Sequence, residues 1–374
     1  MNKLSGKIKK ITIIGLGVIG GSWGLAVKRV RPDITVCGVD LDSASLQKAQ
    51  QADIIDCWSL NPAEAVADAD VVVIACPLSK IVAVAKEILP HMKSRAILKD
   101  VGSVKESIIN AIESTLPADI DYVPGHPMAG SEKTGISGAD TFLFENAAYI
   151  LTPFTRTTAD ALAVIEELVT CMGARTLLMS PAEHDMQVAT VSHLPHLVAS
   201  VLVNSAGAIS TEYPDLFLLA AGGFRDTTRI ASSNPEMWRD VSLGNRQAIL
   251  EAIEIFEKQL QNCKDALNAK DAHAVFNIFS RAKKWREQVP AGMKGILPEL
   301  YEIVVVVPDK PGMIGEIANL LGENKINIID IEILRVREGA GGSIRFGFLE
   351  KNSAIVATEL LRQKGFGVNP RFDM

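Results

Sequence analysis

The sequence predicts an α/β protein: a Rossmann-type doubly wound sheet, then an all-helical domain, then a ferredoxin-like βαββαβ module. Three observations predict it. Over the first half, short apolar runs alternate with helix-length segments, which makes a parallel sheet the economical arrangement. Residues 180–288 show helical periodicity and little strand signal. Residues 299–374 then return to strands and helices in the order β-α-β-β-α-β. The expected domains are therefore 1–179, 180–288 and 299–374, with the Pro- and Gly-rich stretch 289–298 as a linker.

The first element is a buried strand at residues 11–14. It runs into Gly15, Gly17 and Gly20, a G-x-G-x-x-G that opens a helix. The first glycine permits a tight turn, the second lets backbone approach a pyrophosphate, and the third lets helix and strand pack closely. Val18 and Ile19 lie inside the loop, at the helix end that faces phosphate charge. The next apolar run, 34–39, ends at Asp40, which can accept from ribose hydroxyls and would repel a 2′-phosphate, so NAD is favoured over NADP; a mere turn residue is the alternative. Asn61-Pro62 starts a helix, and further strands follow at 71–75, 96–100 and 122–125. Ligands of such sheets sit beyond the carboxyl ends of the strands. Those ends carry Cys76-Pro77-Leu78, the loop from Asp100 to Ser103, and Gly125-His126-Pro127-Met128-Ala129-Gly130-Ser131-Glu132. His126 is the candidate base, because imidazole titrates near neutral pH; a lone histidine is more often structural, and it is the expected strand-end place beside the cofactor that favours catalysis. Residues 148–151, 159–172 and 175–179 read as a strand–helix–strand extension of the same sheet.

Ser180-Pro181-Ala182-Glu183 matches a capping box with proline at the first helical position. The helix it opens contains Ser192-His193-Leu194-Pro195-His196, where Pro195 should kink it and free a carbonyl one turn back. His193 and His196 have no further His or carboxylate close in sequence to complete a zinc site, and no metal is expected. Gly222 to Arg229 is a glycine-rich break that delivers Arg225 and Arg229 either to a site or to a solvated face. Later apolar residues at helical spacing fit a core or a subunit interface. In the last module, Asp309-Lys310-Pro311-Gly312 is either an ordinary turn or a small-ligand loop.

The 374 residues suffice for two or three domains. With 38 basic and 44 acidic residues the formal charge is −6, and no Lys/Arg block offers a stripe for nucleic acid. Five dispersed cysteines form no C-x-x-C, which argues against zinc and a disulfide framework and for a reducing compartment; the cytoplasm is the expected location. Glycines interrupt the apolar run after Lys10, so a signal peptide is not expected, nor is a membrane span.

With these residues in view, the chain closely resembles the prephenate dehydrogenase family of tyrosine biosynthesis, in the form that carries a C-terminal ACT domain. The marks are IGLGVIGGS (14–22), DVGSVK (100–105), GHPMAGSE (125–132), SHLPH (192–196) and GGFRDTTRIA (222–231), in the family's order. The resemblance implies NAD-linked oxidation of prephenate, with loss of carbon dioxide, to 4-hydroxyphenylpyruvate. It implies His126 as partner of the C4 hydroxyl, Ser103 as a supporting donor and Arg229 as clamp on a substrate carboxylate. His193 and His196 would line the pocket, Glu132 would guard its mouth, and Arg225 would lie nearby. A homodimer is expected. The ACT resemblance implies L-tyrosine as an allosteric ligand, held by Asp309, Gly312 and Asn327; a module that only helps subunits associate is the alternative. The motifs do not separate prephenate from arogenate as substrate. A β-hydroxyacid dehydrogenase would lack GHPMAGSE, and against a catalytically idle amino-acid sensor stand the intact His126, Ser103 and Arg229.

Overall fold

Buried on both faces, the apolar runs of the first half pair as a parallel sheet in a computed structural model that describes residues 8–130, 134–289, 300–308, 310–334 and 342–372. Two units separate, Met1–Gly295 and Ile296–Met374. In the first, β1 (Lys10–Ile14), α1 (Val18–Val30), β2 (Thr35–Val39), α2 (Ser43–Gln51), β3 (Cys57–Ser59), α3 (Pro62–Val66), β4 (Val71–Ile74), α4 (Leu78–Ile88), β5 (Ile97–Asp100), α5 (Glu106–Glu113) and β6 (Asp121–Tyr122) follow one another. The strand order is β3-β2-β1-β4-β5-β6. Alternate side chains explain the unbroken apolar runs: Ile11, Ile13, Val71 and Val73 enter one core, and Ile14, Val72, Ile74 and Leu98 the other. Each such side chain contributes about 1.5–3 kcal/mol by leaving water.

The extension past β6 corrects the sequence expectation. Residues 122–125 are not one strand. The chain leaves the parallel sheet after Tyr122, and β7 (Gly125–Pro127), β8 (Ala148–Leu151) and β9 (Arg175–Leu178) form a separate three-stranded sheet, with α6 (Ala159–Cys171) linking the last two. Pro124 has no N–H to give a parallel ladder, so the strand breaks there. Gly125 then permits a close approach: a Cβ at that position would sit 2.5 Å from Lys99 Nζ and 3.0 Å from Ile150 O. His126 consequently lies within a strand, opposite Ile150, rather than at a strand end.

The helical part comprises α7 (Pro181–Val188), α8 (Leu194–Ser210), α9 (Gly222–Thr228), α10 (Pro235–Gly244), α11 (Arg246–Asn268) and α12 (Ala272–Arg286). Ser180 caps α7 by accepting from Glu183 N at 3.2 Å, as its capping box requires. The expected kink takes a specific form. A π-helical turn, Ala189–His193, lies just before Leu194-Pro195 and accommodates the missing Pro195 N–H within a continuous helix. Joined, Pro181–Ser210 has the length and hydropathy of a membrane span, yet it buries His184, Asp185 and His193. Leu218, Leu219, Phe276 and Phe279 are exposed on the helical part.

The second unit holds β10 (Tyr301–Val307), α13 (Met313–Glu323), β11 (Asp330–Leu334), β12 (Gly342–Phe348), α14 (Lys351–Gln363) and β13 (Gly367–Pro370), in the expected order. Its antiparallel sheet runs β11-β12-β10-β13 over a core of Ile303, Val305, Phe346 and Phe348 with Ile317, Leu321 and Leu361. Residues 290–298 of the expected linker, Glu132 and Asp309 lie outside the described residues.

Candidate active site

The nucleotide end begins where β1 stops. Gly15 has φ +94°, and a Cβ at Gly20 would stand 1.9 Å from Gly15 O, so only glycine permits the loop to fold back on its own helix. At Gly17 a Cβ would meet nothing within 4 Å, which leaves open space beside the first turn of α1. No side chain caps that turn and no acid lies in it, so its leading amides suit a phosphate. Val18 and Ile19 are the first two residues of the helix. Asp40 Oδ2 accepts from Leu16 N at 2.8 Å and Oδ1 from Asp42 N at 3.1 Å. The acid therefore pins the glycine loop to the end of β2. Because β1 and β4 are neighbours, Cys76 and Pro77 lie at the adjoining strand end and Leu78 opens α4. Burial pushes the Cys76 thiol up to about 12, so it is uncharged at neutral pH. These residues fit a dinucleotide.

Beyond β5 the chain is locked by one buried carboxylate. Asp100 Oδ1 accepts from Gly102 N at 2.8 Å and pairs with Lys105 Nζ, while its Oδ2 accepts from the Tyr122 hydroxyl at 2.7 Å. Lys105 Nζ also donates to Gly125 O at 3.0 Å, immediately before His126. Burial pushes the Lys105 ammonium down, and Asp100 opposes that shift. Ser103 lies half-buried in the loop so held. Lys99, on the same strand, is fully buried with no hydrogen bond to its Nζ among the described residues, and it lies 4.7 Å from the Tyr149 ring centroid. Burial pushes its amine down to about 7.

His126 is half-buried, and its Nδ1 lies 2.9 Å from His184 Nε2. His184 Nδ1 in turn lies 2.7 Å from Asp185 Oδ1. The Asp185 carboxylate also accepts from Lys105 N and Glu106 N, both at 2.9 Å, at the start of α5. Burial holds the His126 imidazole well below the usual histidine range, and the neighbouring His184, Lys105 and His193 act in the same direction. It is uncharged at neutral pH, as a base must be.

The SHLPH turn adds a second group. His193 is buried and lies 3.1 Å from Asn245 Nδ2, which also donates to Asp185 O at 2.8 Å. Burial pushes His193 down to about 4. The His196 ring stacks on Trp238 with centroids 3.6 Å apart, and its Nδ1 lies 3.0 Å from Ser192 O. Burial lowers its pKa too, as does the neighbouring Arg229 charge. A cavity of about 280 Å³ opens here between His196, Asn204, Ile230 and Trp238. Arg229 begins a short 3-10 turn after α9, while Arg225 is exposed on α9 itself.

Of the expected residues, His126 meets His184, His193 meets Asn245 and Trp238, and His196 stacks on Trp238 with the Arg229 charge near it; sequence reasoning missed His184, Asp185, Asn245 and Trp238. A histidine followed by an acid inside a capped helix was the available signal. In the second unit, Gly312 has φ +92° and caps α13, and Asn327 is exposed.

Profiles of known families cover all three parts: "Prephenate dehydrogenase, nucleotide-binding domain" matches residues 23–178, "Prephenate dehydrogenase, dimerization domain" 180–281, and "ACT domain" 301–362. A prephenate dehydrogenase of Bacillus subtilis is 38% identical over 340 residues, covering 90% of this chain and 91% of the relative. Among solved structures, prephenate dehydrogenase from A. aeolicus in complex with hydroxyphenyl propionate and NAD+ superposes with a TM-score of 0.72 at 32% identity, over 76% of this chain and 99% of that one. Synechocystis arogenate dehydrogenase gives 0.67 at 28%, over 75% and 100%.

Proposed function

The chain belongs to the prephenate dehydrogenase family, and on that footing we propose that it oxidises prephenate with NAD, releasing carbon dioxide and 4-hydroxyphenylpyruvate for tyrosine synthesis. The observation that carries this reading is the half-buried His126 imidazole backed by His184 and Asp185. Gly15, Gly17, Val18, Ile19 and Gly20 would hold the pyrophosphate, Asp40 the ribose, and Cys76, Pro77 and Leu78 would flank the nucleotide. NAD, when bound, supplies the hydride acceptor. His126 takes the C4 hydroxyl proton as hydride leaves that carbon, and carboxylate loss then makes the ring aromatic. Ser103 supports the hydroxyl, Arg229 clamps a substrate carboxylate, and His193 and His196 line the pocket. Arg225 and Glu132 would lie at its rim. The exposed apolar residues of the helical part support a homodimer. The second unit would bind L-tyrosine through Asp309, Gly312 and Asn327 and lower activity. The dispersed free thiols support a cytoplasmic setting.

The test is NAD reduction measured with prephenate and with arogenate. Turnover of prephenate with 4-hydroxyphenylpyruvate as product is expected. Turnover of arogenate alone would move the assignment to the amino substrate, and turnover of neither would overturn it.

A further inference from the structure

We propose that His184 and Asp185 are positioning residues that fix His126 in the tautomer with a protonated Nδ1 and a bare Nε2, so that Nε2 is the atom that takes the substrate proton. The inference rests on the reading of His126 as the base. An ionised carboxylate only accepts. Asp185 takes two backbone N–H groups at the start of α5, a position that favours negative charge. The third partner, His184 Nδ1 at 2.7 Å, must therefore be a donor. A proton on His184 Nε2 would occupy the Nδ1 lone pair of His126, 2.9 Å away, and leave His126 Nε2 protonated and unable to act as a base; on the base reading, therefore, His126 Nδ1 is the donor and His184 Nε2 the acceptor. What remains on His126 is a bare Nε2.

The surroundings hold this order in place. His184 is fully buried, and the two rings meet edge to face with centroids 5.1 Å apart, so the His184 ring fills the place a competing donor would need. Asn245 Nδ2 secures the same turn of α7 through Asp185 O. Once Nε2 has taken the proton, the Nδ1–H bond becomes charge-assisted and shortens, with the Asp185 charge one ring further on. A carboxylate that holds a catalytic imidazole in one tautomer is a known device. Here a second imidazole is inserted between them, which carries the same instruction across the gap between α5, α7 and β7.

The experiment is two-bond ¹⁵N–¹H correlation spectroscopy on full-length protein labelled with ¹⁵N-histidine at neutral pH, with assignments from single His variants. In the wild type, His126 should show a protonated Nδ1 and a bare Nε2. His184→Leu, which offers no acceptor, should give a mixture of tautomers and lower kcat by about 10²-fold or more, with KM for prephenate within about threefold. His184→Gln, whose amide oxygen can accept at the same place, should keep the tautomer and recover kcat to within about tenfold of wild type. A protonated Nε2 on wild-type His126 would overturn the proposal, as would an unchanged tautomer and kcat in His184→Leu. Should the Leu variant not fold, the wild-type spectrum and the Gln variant decide. The tautomer is read without turnover, so failure of this inference is distinguishable from failure of the base assignment.

Discussion

Acid should weaken this fold through His193, and the size of the effect can be worked out. The side chain is 2% exposed, and its Nδ1 faces the Asn245 amide, so a proton there would set donor against donor. Burial comes first in pushing it down to about 4, the neighbouring His184 and His196 act in the same direction, and Asp185 opposes them. In the unfolded chain a histidine titrates near ~6.5. Between these values the unfolded chain binds a proton that the folded one refuses, so stability falls as pH falls from about 6.5 towards 4. From pH 7 to pH 5 this single group should cost about 2 kcal/mol. The assay is urea unfolding at both pH values, followed by tryptophan fluorescence; Trp238 lies 6.0 Å from the His193 ring. His193→Asn keeps an acceptor oxygen for Asn245 and cannot titrate, so it should lose about 2 kcal/mol less than wild type over the same interval. Equal losses in the two proteins would refute the reasoning.

His126→Asn should lower kcat by about 10²–10⁴-fold while NAD binding, measured by fluorescence titration, stays nearly unchanged. Arg229→Ala should weaken prephenate binding by about 1.5–3 kcal/mol, read from KM, with NAD affinity unaffected. Asp40→Ser should narrow the preference for NAD over NADP; because Asp40 also holds Leu16 N, the KM for NAD should rise as well. Removal of residues 291–374 should leave dehydrogenase activity and abolish inhibition by tyrosine, which a dose–response curve on both proteins would check; equal inhibition would place tyrosine in the His126 pocket instead.

What could be read in advance was whatever local chemistry dictates. The glycine loop is set by Gly15 and Gly20 with their immediate neighbours, and the second unit by strands and helices of ordinary period, so both were legible. The three-stranded sheet was not, because Pro124 breaks the run at 122–125 without revealing where Gly125 will next pair. β3, at three residues, is too short to stand out as a run. The His126–His184 contact spans 58 positions and the Asp185–Lys105 contact 80; nothing local in either stretch announces such a meeting. Pro195 announced an irregular helix, but a π turn and a kink answer equally well to a missing N–H.

The Asp185 carboxylate has one more consequence, for how this protein can be cut and how it is made. The family profiles divide the chain between residues 178 and 180, which suggests a nucleotide-binding piece that could be expressed alone. Yet the opening amides of α5 have their acceptors on α7, beyond that division. A fragment ending at 178 would leave them to water and lose a cap of about 1 kcal/mol. During synthesis, likewise, α5 emerges from the ribosome long before the residue that finishes it. Its N-terminal turn should stay frayed until α7 has docked, so the last step in building the nucleotide half belongs to the helical half.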